Sequence, residues 1–215
     1  MRGIAFFLLL VFLAPHTASA YTVVIDPGHG SPDGGSQSLA GTPEKDYTLA
    51  VGKDLLLFLR FIGMRTVMTR SGDSGVYDPS ASTIREKKVS DLENRLKMTL
   101  KIDAPVFLSI HMNASPIRSA SGLQVFYAPS AGSEELGEAL TAVFASSLKE
   151  TRIRSLAPAP GGVFLMRKLT CPAVLLEYGY LSNPAENARL ETDSYRQQLA
   201  FLTACGLLKY MIDEG

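Results

Sequence analysis

The sequence predicts a single α/β domain, built on a mixed, largely parallel and twisted β-sheet of about six strands flanked by helices. Short apolar runs, typical of buried strands, alternate with longer segments in which apolar residues recur at helical spacing. About 195 of the 215 residues follow an N-terminal export signal, and this length suffices for one domain with a sizeable core. We find no internal repeat, low-complexity tail or second domain.

Residues 1–20 have the pattern of a signal peptide. Arg2 gives a positive start, residues 4–14 form an unbroken apolar run, and residues 18–20 offer a small-x-small cleavage site. Because a bilayer span needs about 20 apolar residues, cleavage after Ala20 is preferred over an uncleaved membrane anchor, which is the alternative. The protein is therefore expected to be exported, with residues 21–215 as its folded part.

The first elements of the folded part alternate between strand and helix. A strand at residues 22–26 leads into a Gly-rich loop at 28–41. A helix is expected to begin near Thr42 and Pro43, because threonine suits the N-cap and proline the first helical position. Gly63 is a natural stop, and the apolar positions of this helix are Leu49, Leu55, Leu56, Leu59 and Ile62.

A strand, a polar loop and a second helix follow. The strand is expected at residues 64–69, and residues 71–83 are rich in Gly, Ser, Asp and Pro, as surface loops are. The helix is expected from about residue 84 to residue 102, with apolar positions Val89, Leu92, Leu96 and Leu100.

The second half of the chain continues the alternation. Strands are expected at residues 105–110 and 122–127. The next helix, at 133–150, has the apolar face Leu136, Leu140, Val143, Phe144 and Leu148. Residues 157–162 are expected to be loop because of their prolines and glycines. The last predicted elements are strands at 163–166 and 173–176 and a closing helix at 194–212.

Charge and cysteine content exclude some classes of protein. Lysine and arginine balance aspartate and glutamate, and loss of Arg2 with the signal leaves one net negative charge, so no electrostatic footprint for nucleic acid is present. The two cysteines, Cys171 and Cys205, do not form a disulfide framework. Buried free thiols are preferred, and a single disulfide is the alternative in an oxidising compartment.

Three chemically active residues follow apolar, strand-like runs. His29 and His111 are the two histidines outside residues 1–20, and each comes after such a run, while a third run ends in Glu177. In open α/β sheets, ligands bind in the crevice at the carboxyl ends of the strands. Three side chains able to bind metal or transfer protons are thus aimed at one place, a pattern that indicates a metal-assisted hydrolase.

A catalytic zinc site needs a third protein ligand besides two histidines, and it leaves one position open. The carboxylates near His29 are Asp26, Asp33, Glu44 and Asp46. Asp26 is better placed to orient an imidazole from behind, Asp33 lies in the Gly-rich loop, and Asp46 faces elsewhere on its helix. Glu44 is selected because it lies in the first turn of a helix whose N-terminus faces the crevice.

Each of these residues, taken alone, has an ordinary structural explanation. A strand-end histidine often only forms hydrogen bonds, and an acidic residue in a first helical turn complements the helix dipole. Glu177 alone fits a salt bridge at the start of a loop. Because three independent structural explanations would have to converge on one edge of the sheet, the functional interpretation is favoured.

Four ordered motifs resemble those of the zinc-dependent N-acetylmuramoyl-L-alanine amidases. They are Val-Ile-Asp-Pro-Gly-His-Gly at 24–30, Glu-Lys-Asp at 44–46, Ser-Ile-His-Met-Asn-Ala at 109–114 and Pro-Ala-Val-Leu-Leu-Glu-Tyr-Gly-Tyr-Leu-Ser-Asn at 172–183. The chain is more narrowly similar to the compact sporulation- and germination-type members, through Ser-Pro-Asp-Gly-Gly at 31–35 and the helix that contains Arg85 and Arg95.

The resemblance implies a single zinc bound by His29, Glu44 and His111, with Glu177 as the catalytic glutamate of a domain spanning residues 21–215. The implied reaction cuts the amide between the lactyl group of N-acetylmuramic acid and L-alanine in peptidoglycan, outside the cytoplasm. Departures from the family pattern, at Ser31, Ser36 and Tyr180, fall on no ligand position. No wall-binding module or long inserted helix is present, so a partner protein or substrate structure is expected to target or activate the enzyme.

The expected mechanism uses zinc to activate water and Glu177 to move the proton to the leaving amine. Asn113 is expected to donate a hydrogen bond to substrate, and Asp26 to orient His29. Arg70 and Arg95 are expected in ordinary surface or structural pairing rather than on peptide carboxylates. The alternatives are a zinc peptidase, a deacetylase of wall sugars, or a non-catalytic wall-binding module. The resemblance to sporulation- and germination-type members implies a role in sporulation or cortex modification, with vegetative division as the alternative.

Overall fold

The computed structural model describes residues 21–213, so the predicted signal peptide at 1–20 lies outside the described residues. The strands are β1 (Thr22–Pro27), β2 (Thr66–Met68), β3 (Pro105–Asn113), β4 (Gln124–Tyr127), β5 (Ala157–Pro158) and β6 (Ala173–Tyr180). The helices are α1 (Glu44–Phe61), α2 (Ile84–Leu100), α3 (Ser133–Ser147), α4 (Phe164–Lys168), α5 (Pro184–Leu190) and α6 (Asp193–Asp213).

The six strands form one mixed sheet in the order β2-β1-β3-β6-β4-β5. β1 pairs in parallel with β2 and β3, and β3 with β6, whereas β4 is antiparallel to β6 and parallel to β5. The carboxyl ends of four neighbouring strands therefore meet at the same edge. This mixed, largely parallel sheet is the one that the sequence predicts.

Alternation along the strands builds a core on each face of the sheet. Val23 and Ile25 of β1 pack with the large cluster that includes buried residues of α1, α3 and α6. Val24 lies between them in the chain, so its side chain points to the opposite face of the sheet, where it packs with Leu165 and Met166 of α4. Successive strand side chains point to opposite faces, so the central residues of a strand buried on both faces are apolar, as Val23, Val24 and Ile25 are.

Several element boundaries differ from those predicted. β3 continues to Asn113 and β6 to Tyr180, so His111 and Glu177 lie inside strands rather than after them. α1 begins at Glu44 with Pro43 at the N-cap and no side-chain cap. The predicted strand at 163–166 is wrong: these residues open α4, because a four-residue apolar run does not distinguish a strand from one buried helical turn. Residues 157–162, predicted as loop, contribute the short strand β5.

The inward face of α2 is mixed: the predicted apolar positions Leu92 and Leu96 pack against the core cluster that contains Val24, beside buried polar residues. Arg95 and Thr99 are buried, whereas Val89 and Leu100, predicted on the apolar face, are 51% and 57% exposed. A capping box between Thr83 and Glu86 starts the helix. α5, which the sequence did not reveal, begins at Asn183, whose side chain accepts bonds from the first backbone amides.

The two cysteines are free thiols, and both are half-buried. Cys171 precedes β6 and Cys205 lies in α6. Burial raises the pKa of the Cys171 thiol to about 11, so it stays protonated and unreactive near neutrality.

Candidate metal centre

His29, Glu44 and His111 come together although they belong to separate elements. One ligand atom from each lies within 4.8 Å of the others. The Glu44 carboxylate bridges the two rings, with 3.1 Å between its Oε2 and Nε2 of His29 and 3.0 Å between its Oε1 and Nδ1 of His111. The rings lie edge to face, with centroids 4.9 Å apart. The loop after β1, the first turn of α1 and the strand β3 thus supply one cluster, as predicted.

Glu44 is held by backbone donors as well as by the two rings. Its Oε2 accepts a hydrogen bond from the Ser36 amide at 2.9 Å, and its Oε1 accepts one from the Met112 amide at 3.0 Å. Burial acts to raise the pKa of this carboxyl, but the hydrogen bonds and charges of His111 and His29 outweigh burial and hold the pKa well below its usual range. Glu44 therefore remains a fixed negative charge.

The ring of His29 is oriented by Asp33, not by Asp26 as predicted. The distance from Asp33 Oδ2 to His29 Nδ1 is 3.1 Å, which leaves Nε2 facing Glu44. Burial acts to lower the pKa of His29, but the contacts with Asp33 and Glu44 raise it to about 9. An environment that stabilises a cationic ring also favours a bound metal cation.

Asp26 acts instead through Arg95. Both side chains are 1% exposed, and Arg95 Nη1 donates to Asp26 Oδ1 at 2.6 Å. Thr69 and Ser109 also donate to the Asp26 carboxylate, which leaves it turned away from the His29 ring. The Nη2 of Arg95 donates to the carbonyl of His29 at 2.5 Å.

This contact fixes an unfavourable backbone conformation. His29 has a φ of 61°, in the left-handed region that residues other than glycine rarely adopt. Arg95 therefore positions the loop after β1 that carries His29, which is called the ligand loop below. Arg70 has a similar role, since its guanidinium donates to the carbonyls of Pro27, Gly28 and Lys45. Both arginines are buried in structural contacts, so of the two expected settings, surface and structural pairing, the structure shows the second.

Two glycines make room for the cluster, and sequence reasoning missed their role. A Cβ on Gly28 would lie 2.3 Å from the ring of His111. A Cβ on Gly35, whose φ is 69°, would lie 2.6 Å from Glu44 Oε2 and from the ring of His29. A larger residue at either position must displace a member of the cluster. The Gly-rich composition of residues 28–41 was the available signal.

Glu177 lies beside the cluster without a bonding partner. It is aligned with His111 across the parallel pair β3–β6. Its Oε2 is buried and has no hydrogen-bond partner among residues 21–213. Burial, aided by the negative charge of Glu44 and opposed by His111 and His29, raises the pKa of Glu177 to about 7. Such a carboxyl can both take up and release a proton near neutrality.

An open cleft of about 510 Å³ exposes the cluster and Glu177 to solvent. Asn113, at the end of β3, lines this cleft together with Lys88 and Val163. The Oδ1 of Asn113 accepts a hydrogen bond from the Ala114 amide at 2.9 Å. This bond fixes the orientation of the Asn113 side chain at the rim of the cleft. The structure thus places Asn113 on the wall of the cleft that the cluster and Glu177 also line.

Two imidazole nitrogens and one carboxylate oxygen fit the donor set of a catalytic zinc, which leaves a position open for water. The buried negative charge of Glu44 and the partnerless Glu177 Oε2 also fit a site that holds a cation and a polar substrate. Together with the sheet edge that presents them, these residues define a site that could bind a metal ion and that suits hydrolytic chemistry. A sequence profile of the N-acetylmuramoyl-L-alanine amidases matches residues 23–209, and the chain belongs to this family.

Individual relatives agree with this assignment. The germination-specific N-acetylmuramoyl-L-alanine amidase of Bacillus subtilis (strain 168) is 32% identical over 198 residues, or 92% of this chain and 82% of that protein. The probable cell wall amidase LytH of Staphylococcus aureus is 32% identical over 191 residues, or 88% of this chain, which spans 58% of LytH. The solved CwlD amidase from Clostridioides difficile, in complex with the GerS lipoprotein, superposes with a TM-score of 0.85 at 30% identity, covering 89% of this chain and 98% of CwlD. The predicted fold and enzyme class are confirmed.

Proposed function

We propose that this amidase is a zinc enzyme that cuts the bond between the lactyl group of N-acetylmuramic acid and L-alanine in peptidoglycan. The observation that carries the proposal is the convergence of His29, Glu44 and His111, with ligand atoms within 4.8 Å of one another, beside Glu177. These three residues would hold the metal. When bound, zinc would polarise the scissile carbonyl and make a water molecule more acidic.

The protein groups around the ligands keep them preorganised. Asp33 fixes the ring of His29, and Arg95 fixes its backbone. The amides of Ser36 and Met112 hold the Glu44 carboxylate in place. Supporting contacts of this kind usually contribute 10- to 100-fold to metal affinity, to order of magnitude.

Glu177 is the proposed general base and acid. The Glu177 carboxyl lines the cleft beside the proposed ligands, so it can accept a proton from the attacking water. The same carboxyl then donates that proton to the amine of L-alanine as the amide breaks. A pKa of about 7 suits both steps, because neither proton uptake nor proton release is strongly uphill at neutral pH. Asn113, at the rim of the cleft, is proposed to bond a polar group of the substrate.

We also propose that the enzyme acts outside the cytoplasm, on the spore cortex. The germination-specific relative supports this setting, and the CwlD–GerS complex supports a protein partner for targeting or activation. None of the helices within residues 21–213 is long and apolar enough to cross a membrane. The N-terminal residue of exported protein tests the signal: Tyr21 supports cleavage after Ala20, and Met1 supports the anchor.

The cellular proposals have their own tests. Muropeptide analysis of spore cortex from a strain that lacks the enzyme should show stem peptides retained on muramic acid. An unchanged cortex would contradict the cortex role. Full activity of the isolated protein on purified intact wall would contradict the need for a partner.

The decisive experiment treats purified peptidoglycan with the zinc-loaded protein, with and without chelator, and analyses the products by mass spectrometry. The expected product has a new amine on L-alanine and an intact glycan, and chelator should abolish it. A new amine within the peptide would indicate a peptidase, and a loss of acetyl groups would indicate a deacetylase. Absence of any product from the zinc-loaded protein would favour a non-catalytic wall-binding module.

A further inference from the structure

A second cavity, of about 270 Å³, adjoins the metal centre on the side of α2. It shares His29, Asp33, Lys88 and His111 with the main cleft, so the two spaces are continuous beside the ligands. Its remaining wall includes Pro32, Tyr77, Lys87, Asp91 and Leu92. A substrate held at the metal centre would therefore extend by one or two residues directly into this cavity.

The wall of this cavity that carries Tyr77 is anchored to α2 by hydrogen bonds. The amide of Val76 donates to Asp91 Oδ1 at 2.6 Å, and Asn94 Nδ2 donates to the Val76 carbonyl at 2.8 Å. These bonds hold the segment that carries Tyr77 against the helix. The cavity is thus a formed site with a fixed aromatic wall, which is the usual character of a ligand-binding pocket.

The charges in this cavity leave one cation available. Asp33 contacts His29 and pairs with Lys88 at 2.9 Å, and Asp91 pairs with Arg95 at 2.7 Å. Lys87 is half-buried, and its Nζ lies 5.0 Å from the centroid of the Tyr77 ring. Within residues 21–213, no carboxylate lies within 4.0 Å of the Lys87 ammonium.

We propose that this cavity binds the first free carboxylate of the stem peptide beyond L-alanine, and that Lys87 is the residue that recognises it. This inference rests on the proposed amidase function. The glycan is built of N-acetylated sugars whose lactyl groups are tied up as amides, so it is uncharged, whereas the peptide carries the carboxylates. An ammonium group on an aromatic wall therefore selects the peptide. Tyr77 and Leu92 would pack against the aliphatic part of the same residue.

The test compares two muramoyl peptides that differ only in the second peptide residue, with a free carboxylate in one and the corresponding amide in the other. We expect the protein to cleave the acid with a kcat/KM roughly tenfold higher, since a hydrogen bond to a charged group contributes ~1.5 kcal/mol or more. Lys87→Gln should remove this preference, mainly through KM for the acid, because the contact is made equally in the ground and transition states.

Lys97→Gln is the matched control, because Lys97 lies on the same helix, is 60% exposed and contacts Glu93 and Asn94, neither of which lines the cavity. It should keep the wild-type preference. Calorimetric titration with the released peptides, acid and amide, gives a second readout independent of turnover, and Lys87→Gln should weaken binding of the acid alone.

Equal cleavage of the acid and the amide by the wild-type protein would overturn the inference, as would an equal loss on both substrates in Lys87→Gln. Failure of the zinc-loaded wild-type protein to cleave either substrate would instead refute the proposed function, and this inference with it. The two failures are therefore distinguishable.

Discussion

Replacement of Arg95 by methionine tests how the buried charge pair supports the ligand loop. Methionine fills most of the space of the arginine stem but removes the guanidinium. Asp26 would then be a buried carboxylate without a counter-charge. The carbonyl of His29, whose φ is already in the left-handed region, would also lose the donor Arg95, and the carbonyl of Pro27 would keep only its bond from Arg70.

The expected loss is about 3–5 kcal/mol of unfolding free energy, because breaking a buried ion pair leaves an uncompensated charge. With a urea dependence of about 2 kcal/mol per molar, the unfolding midpoint should fall by roughly 2 M. The matched control is Arg85→Met, an exposed position on the same helix, which should shift the midpoint little.

Urea unfolding followed by circular dichroism measures these shifts. Asp26→Asn should relieve part of the loss in Arg95→Met, since it removes the stranded charge while keeping polar groups for Thr69 and Ser109. The two substitutions together should cost about 1–3 kcal/mol less than the sum of the single ones. A loss below about 1 kcal/mol in Arg95→Met, or strict additivity, would refute the view that this pair holds the loop.

Four further predictions concern the metal centre and pH. Glu177→Gln should keep zinc but lower kcat by about 10²- to 10⁴-fold. Glu93→Gln, at an exposed position, is the control, and near-normal turnover in Glu177→Gln would exclude Glu177 as the general base. His111→Ala should lose zinc by metal analysis, and unchanged metal content would remove His111 from the ligand set. Gly28→Ala should push the ring of His111 away and weaken zinc binding, measured by chelator competition; wild-type affinity would show that the ring can shift without cost. Burial acts to raise the pKa of Asp26, but the charge of Arg95 and the hydrogen bonds from Thr69, Arg95 and Ser109 lower this pKa below its ordinary value of 3.8. The Asp26–Arg95 pair therefore stabilises the fold fully above about pH 4 and progressively less as the pH falls further. The urea midpoint should therefore drop as pH falls below about 4 in the wild type and less in Asp26→Asn, and parallel drops would assign acid sensitivity to other groups.

The cluster of His29, Glu44 and His111 could be predicted because its signals are local. Apolar runs identify the central strands, and parallel strands bring their carboxyl ends to one edge. The first turn of the following helix points to the same edge, which separates Glu44 from its neighbours. Elementary periodicity and topology were therefore enough to place three side chains that are far apart in the chain.

The contacts of Asp26 and Asp33 could not be predicted, because they depend on backbone geometry and on distant partners. The left-handed φ of His29 turns its ring toward Asp33, and nothing in the local sequence reports that angle. Arg95 lies 69 residues from Asp26, and an arginine among charged neighbours on a helix is expected to face solvent. Its burial becomes evident only once α2 lies across the end of β1.

The incorrect prediction of a strand at residues 163–166, where the structure has α4, has a different cause. Residues 163–166 are four consecutive apolar residues, and a run this short is buried equally well as a strand or as a single helical turn. The structure resolves the ambiguity by packing Leu165 and Met166 together under the sheet. Tertiary packing, not local preference, decides such segments.

The two outer strands of the sheet bear on how the protein behaves at high concentration. β2 has three residues and β5 has two, and Pro158 in β5 has no amide hydrogen to offer. Long, flat outer strands invite pairing with another chain, whereas very short ones and proline discourage it. Within residues 21–213, both edge strands of the sheet are thus too short to pair stably with a strand of another molecule. Short outer strands thereby protect the folded protein from strand-to-strand aggregation at high concentration.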